Sequence, residues 1–135
     1  MLGERNTPEE LITAFHHDSE WWKSAIGYLE NEIQFINRLL HAHVYKEGTS
    51  NLFERLQQFK HEMAAKTRET ANLKKEILEY EDKLRGILEC QDLSCDAYYI
   101  ESHKALKERY EVFYTGFNNY KAKVFDYLGG IFLMK

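Results

Sequence analysis

An all-helical fold follows from three features of the sequence. Leucine and glutamate are abundant, whereas the 135 residues hold one proline and three valines, which leaves little material for a sheet. Three segments place apolar residues at alternating steps of three and four, the spacing that keeps side chains on one stripe of a helix. The two breaks between them carry turn and capping residues. Together these predict an all-α, antiparallel, up-down-up three-helix bundle with helices over about residues 8–47, 51–90 and 94–132. Each helix is then about 57 Å long at 1.5 Å per residue. The bundle is expected to be an elongated left-handed coiled coil forming a single domain over residues 1–135.

The first helix starts at Thr7-Pro8-Glu9-Glu10. Thr7 can cap an orphan backbone N–H, Pro8 suits the first helical position, and Glu10 completes a capping box. Its seam runs Ile12, Phe15, Ser19, Trp22, Ile26, Leu29, Ile33, Ile36, Leu40, His43. A second stripe of Leu11, Ala25, Tyr28, Phe35, Leu39 and Ala42 widens the apolar face, so this helix is expected to pack against two neighbours. Gly48-Thr49-Ser50-Asn51 supplies a terminating glycine and then Asn51 as a cap, with Glu54 three residues on.

The second seam reads Leu52, Leu56, Phe59, Met63, Lys66, Thr70, Leu73, Ile77, Tyr80, Leu84, Ile87. It is polar only in its middle, where Lys66 falls level with Glu32; either a contact between them fixes register or the lysine snorkels out of the seam. Residues 90–96 lose the pattern and offer Asp92 and Ser94 as caps. The third seam is the richest in aromatics: Tyr99, His103, Leu106, Tyr110, Phe113, Phe117, Tyr120, Val124, Tyr127, Ile131. Aromatics at helical spacing read as core. This helix also carries Ile100, Val112, Tyr114, Phe125 and Leu128 off its seam and ends in Ile131, Phe132, Leu133 and Met134. That is more apolar surface than one bundle end can bury, which makes Tyr114, Phe125, Leu128, Ile131, Phe132, Leu133 and Met134 the expected contact surface for a second copy, the other reading being a chain end that folds back over its own core.

In heptads and element lengths the chain resembles a spectrin-type three-helix coiled coil. Residues 22–39, chiefly Trp22, Tyr28, Glu32, Ile33, Phe35, Arg38 and Leu39, resemble the opening helix of small uncharacterised bacterial long-helix proteins. Both resemblances imply a long-helix fold and neither implies an activity.

Composition excludes several functions. No apolar run reaches the roughly 18–20 residues of a membrane span, and residues 1–10 lack the apolar stretch of a secretory signal, so a cytoplasmic protein is expected. Eighteen basic against 22 acidic residues, interspersed, give a net charge of -4 and no basic stripe for nucleic acid. Phosphate-binding glycine loops, nucleophile elbows and His-Glu-x-x-His are missing. No enzyme activity, cofactor or small-molecule substrate is therefore expected.

Two constellations remain as candidates for chemistry. Loop-set register brings His16 or His17 to the level of His103 and Glu81, where a half-buried zinc site is conceivable, although no helix carries the Glu-x-x-His of di-iron bundles. Against this, histidines near bundle ends commonly cover the core while one nitrogen reaches water. Cys90 and Cys95 lack the two-residue spacing of redox pairs and are expected as reduced thiols; Cys95 lies in the first turn of the third helix, where the macrodipole favours a thiolate and Asp96 opposes it. The leading expectation is a non-enzymatic interaction or scaffold protein that self-associates as a homodimer. The alternative is a small metal-binding or redox-responsive bundle.

Overall fold

The computed structural model describes residues 7–42, 45, 46 and 48–131. Among them three long helices and no strand element form the predicted all-α bundle: α1 (Pro8–His41), α2 (Leu52–Lys83) and α3 (Leu93–Gly129), with a 3-10 turn (Leu84–Glu89) extending α2. The helix α1 begins as expected. The Thr7 hydroxyl accepts from the Glu10 N–H at 3.1 Å while the Glu10 carboxylate accepts from the Thr7 N–H at 2.9 Å.

This helix ends at His41, short of residue 47. The Ala42 N–H closes a tight last turn on the Leu39 carbonyl and the chain then becomes extended at Ala42 (φ -80°, ψ 159°). Tyr45 folds back into the core and donates its hydroxyl to the same Leu39 carbonyl. That single side chain both buries apolar area and adds a second hydrogen bond to the Leu39 carbonyl at the helix end. The Lys46 N–H donates to the Ile131 carbonyl at 2.8 Å and ties this loop to the end of α3. Gly48 takes the expected positive φ of 78°, but Asn51 is itself left-handed (φ 56°) and makes no side-chain cap bond, contrary to the capping role read from its position.

At the second turn the two cysteines form a Cys90–Cys95 disulfide, which corrects the expectation of reduced thiols. Cys90 leaves the 3-10 turn in an extended conformation, and Asp92 caps α3 by accepting from the Cys95 N–H at 2.9 Å. This tight reversal leaves the two Cα atoms 5.3 Å apart, a span that a disulfide bridges. A Cβ at Gly86, just before it, would lie 1.8 Å from the Tyr99 hydroxyl oxygen, so the Tyr99 ring would have to shift to admit one.

Cross-helix pairs establish direction. Glu30 with Lys74 and Ser19 with Glu81 run α1 against α2; Glu76 with Arg109 and Phe59 with Tyr120 run α2 against α3. Glu32 with Lys121 and Phe35 with Phe125 show that α1 and α3 are parallel. The core follows the three seams, with Leu11 rather than Ile12 fully inside, and Ile36, Ile77, Phe117 and Val124 are completely buried. Burying each such side chain contributes about 1.5–3 kcal/mol before entropy costs. The helices α1 and α2 approach each other closely, while α3, with its aromatic seam, packs at a greater distance from both. Grooves therefore flank α3 on both sides. Among the described residues no helix is long and apolar enough to cross a membrane.

Candidate functional site

The polar centre of the bundle is His103, delivered to the core by the third seam. Its ring stacks on Phe15 at 4.0 Å with 12° between planes and lies 5.1 Å from Trp22. The Nε2 atom is 2.8 Å from Asp18 Oδ2, and Nδ1 is 2.6 Å from the Tyr80 hydroxyl. Because a carboxylate only accepts, Nε2 carries the proton and donates to Asp18, which leaves Nδ1 to accept from Tyr80. Every helix thus supplies one member of the chain Asp18–His103–Tyr80. Burial pushes the His103 pKa down, with the Asp18 hydrogen bond and charge working the other way, so the neutral ring is favoured. Burial, reinforced by the Asp18 charge, pushes Tyr80 well up. The order acid, imidazole, hydroxyl matches that of hydrolytic triads. Here, however, Tyr80 is 8% and His103 7% exposed, and the two hydrogen bonds join all three helices within the core.

One turn away, α1 and α2 share an ionic cluster. Lys23 Nζ sits 2.7 Å from both Glu20 Oε2 and Glu81 Oε1, and the Ser19 hydroxyl donates to Glu81 Oε2 at 2.5 Å. His16 Nδ1 lies 3.6 Å from Glu81 and its Nε2 3.7 Å from Glu20. Burial alone would raise the Glu81 pKa; hydrogen bonds from Lys23 and Ser19, with the charges of Lys23 and His16, outweigh it and hold the carboxyl low. The hydrogen bonds to Glu20 and Glu81 raise Lys23. His16, Glu20 and Glu81 each present a ligand atom within 4.8 Å of the others, the group among the described residues whose geometry could hold a metal. A divalent ion there would have to displace the Lys23 ammonium that already bridges the two carboxylates.

The metal candidates of the sequence therefore separate: His16 joins Glu81 as its register implied, His17 is an exposed residue outside the cluster, and His103 belongs to the relay. Of the two readings of Lys66, the contact with Glu32 is not the one found. Lys66 pairs with Glu69 at 3.6 Å, Glu32 with Lys121 at 2.7 Å, and Thr70 donates back to the Lys66 carbonyl.

The expected contact surface changes more. Tyr114 and Phe125 are each 40% exposed, but Leu128 is fully buried in the core and Ile131 packs half-buried against it. Phe132, Leu133 and Met134 lie outside the described residues, as does His43. The described residues present a long aromatic face along the parallel pair α1 and α3. Trp21, Tyr28 and Phe35 stand one heptad apart on α1 with exposures of 68%, 74% and 51%. Tyr28 and Phe35 were expected to widen the buried face and instead project outwards. Trp21 and Tyr28 rim a groove of about 510 Å³ whose far wall is Tyr110, Glu111 and Tyr114, and Phe35, outside the groove, meets Phe125 edge-on at 6.4 Å. A second groove of about 680 Å³ lies between α2 and α3 over Leu73, Val112 and Phe113. Trp21 escaped the seam analysis altogether, although its heptad spacing to Tyr28 and Phe35 was the available signal.

Comparison with known proteins finds no matching family model, no matching curated protein and no matching solved structure.

Proposed function

We propose that this chain is a non-enzymatic interaction module that self-associates as a homodimer through the α1/α3 aromatic face. The observation that carries the reading is the row Trp21, Tyr28, Phe35, with Tyr114 and Phe125 beside it. At about 200 Å² per aromatic side chain, their exposed fractions amount to about 550 Å² of largely apolar surface. A standard interface buries about 800 Å² per partner, and homodimer interfaces are about 65% apolar, so this face has the area and character of one half of such a contact. The absence of catalysis is supported by the polar groups being consumed within the fold: the relay is buried, and the ionic cluster is paired to itself. The interspersed charge argues against nucleic acid as partner. The left-handed supercoil and the spectrin-like outline belong to this reading on the strength of the three-four alternation.

The cytoplasmic setting expected from composition combines poorly with the Cys90–Cys95 bond, since disulfides persist in oxidising compartments. The interaction reading holds in either setting. A second reading, a metal-binding bundle, is favoured by His16, Glu20 and Glu81 alone. Sedimentation velocity is the test of the first: a dimer at about 10 μM that dissociates on dilution supports it, and a monomer throughout that range refutes it. Stoichiometric zinc in the purified protein would shift the conclusion to the second.

A further inference from the structure

We infer that His16, Glu20 and Glu81 form a reversible zinc site on the α1/α2 edge, with the Lys23 ammonium as a tethered cation that the metal displaces. This rests on the metal reading given above, specifies its ligands and its ion, and leaves self-association through the α1/α3 face untouched. The fold brings the parts together. His16 and Glu20 are four residues apart on α1 and so share one face, and Glu81 of the antiparallel α2 meets them from across the helix pair. One ligand atom from each residue lies within 4.8 Å of the other two. His16 stands 3.7 Å from Glu20 and 3.6 Å from Glu81. Tetrahedral zinc, with bonds of about 2.0–2.2 Å, holds its ligand atoms about 3.3–3.6 Å apart. Small rotations of His16 and Glu20, both more than half exposed, therefore bring one imidazole nitrogen onto the same ion as the two carboxylates.

A cation already marks the position for the ion. Lys23 Nζ lies 2.7 Å from Glu20 Oε2 and 2.7 Å from Glu81 Oε1, so these two oxygens converge on one point. The Glu81 carboxylate is fixed in that direction from behind. The fully buried Ser19 hydroxyl donates to its other oxygen, Oε2, at 2.5 Å, as outer partners do for metal-binding carboxylates. With His16 neutral, two carboxylates and one ammonium leave the cluster at a net charge of -1. A divalent ion neutralises both carboxylates and frees Lys23, whose side chain is 32% exposed and can swing into water. The donor set selects the metal. Magnesium and calcium require about six or more ligands, nearly all oxygen, whereas one imidazole with two carboxylates and a water is a mixed set that four-coordinate zinc accepts. Because Lys23 competes for the same oxygens, the ion exchanges with solution, and occupancy follows free zinc rather than metal carried through purification.

The test is calorimetric titration of the full, disulfide-bonded chain with zinc chloride up to about 100 μM, in a buffer without chelating groups. The parent should bind one equivalent. His16→Ala should lose it, and His17→Ala, at the exposed neighbour outside the cluster, should keep it. Lys23→Met should tighten binding about tenfold by removing the competing charge. Zinc should also raise the melting temperature of the parent and not that of His16→Ala, which reads the joining of α1 to α2 by the metal. Binding that survives His16→Ala overturns these ligands while leaving a metal-binding chain standing. Uptake seen only in Lys23→Met would mean that the native lysine excludes the ion, and an affinity unchanged in Lys23→Met that it does not compete; either overturns the exchange of lysine for zinc. No uptake by the parent or by Lys23→Met overturns both the site and the metal reading.

Discussion

Replacing His103 by phenylalanine should expose how much of the bundle depends on its buried relay. The phenyl ring can keep the stack on Phe15 and Trp22, but the Tyr80 hydroxyl then loses its acceptor at a site 8% exposed, where water cannot replace it. Stranding a buried donor costs about 1–3 kcal/mol. Asp18 adds little to this, because at 43% exposure its carboxylate rehydrates. Tyr80→Phe should cost about 1 kcal/mol by leaving His103 Nδ1 without a donor, whereas the double variant removes both partners and should lie within about 1 kcal/mol of the parent. Urea unfolding at one fixed protein concentration, followed by circular dichroism, gives the four free energies. Additive single effects would refute the assignment of the Tyr80 hydroxyl as the donor to His103. The same cycle has a pH signature. His103 is held below its ordinary pKa by burial, so the unfolded chain binds more protons around pH 6.5 and the stability it contributes is full above that value and lost as pH falls towards the folded pKa. The His103→Phe variant should therefore lose stability less steeply than the parent on acidification from about pH 7 to 5.5; parallel profiles would count against the direction of the shift.

Three further outcomes follow from the packing. Gly86→Ala should destabilise by about 1–3 kcal/mol through collision with Tyr99, and the penalty should vanish in a Tyr99→Ala background; an unchanged denaturation midpoint in the native background would show that the ring moves freely. Phe117→Ala, at a fully buried position level with Lys66, should cost about 3–5 kcal/mol, whereas Thr70→Leu should be neutral or stabilising because the hydroxyl serves only its own helix; a large loss at Thr70 would mean that the polar layer has a partner across the core. The Cys90→Ser/Cys95→Ser variant should lose about 2 kcal/mol for so short a loop, and thiol titration of the unreduced protein should find no free thiol; two titratable thiols would restore the reduced state expected from the sequence.

The seams were legible because burial on a long helix is set by the three-four period, which survives whatever the helix packs against. Phe15 to Leu40 on α1 and Phe59 to Ile87 on α2 are largely where the period puts them, and even the half-buried Lys66 falls at the polar gap it implied. The end of α1 was not legible, since it depends on Tyr45 returning to cap Leu39, a contact made by tertiary packing. The site was legible only in part. Loop register placed His16 beside Glu81, but that Lys23 would reach both carboxylates, or that Asp18 and Tyr80 would saturate His103, depends on rotamers and on helix rotation that no period encodes. The aromatic face was misread for a related reason. Leu128 and Tyr28 both look apolar and off-seam, yet Leu128, one turn beyond the buried Val124, lies fully inside while Tyr28 is 74% exposed.

Tryptophan emission across a dilution series tests self-association through this face most directly. Trp22 is 4% exposed within the protomer and contributes a constant background, whereas Trp21 is 68% exposed and becomes buried only if a second chain covers it. The emission maximum should shift to the red as the protein is diluted through the micromolar range, the shift should be lost in Trp21→Phe, and an acrylamide quencher should reach Trp21 only in dilute solution. An emission spectrum and quenching profile independent of concentration would contradict burial of the aromatic face in a dimer.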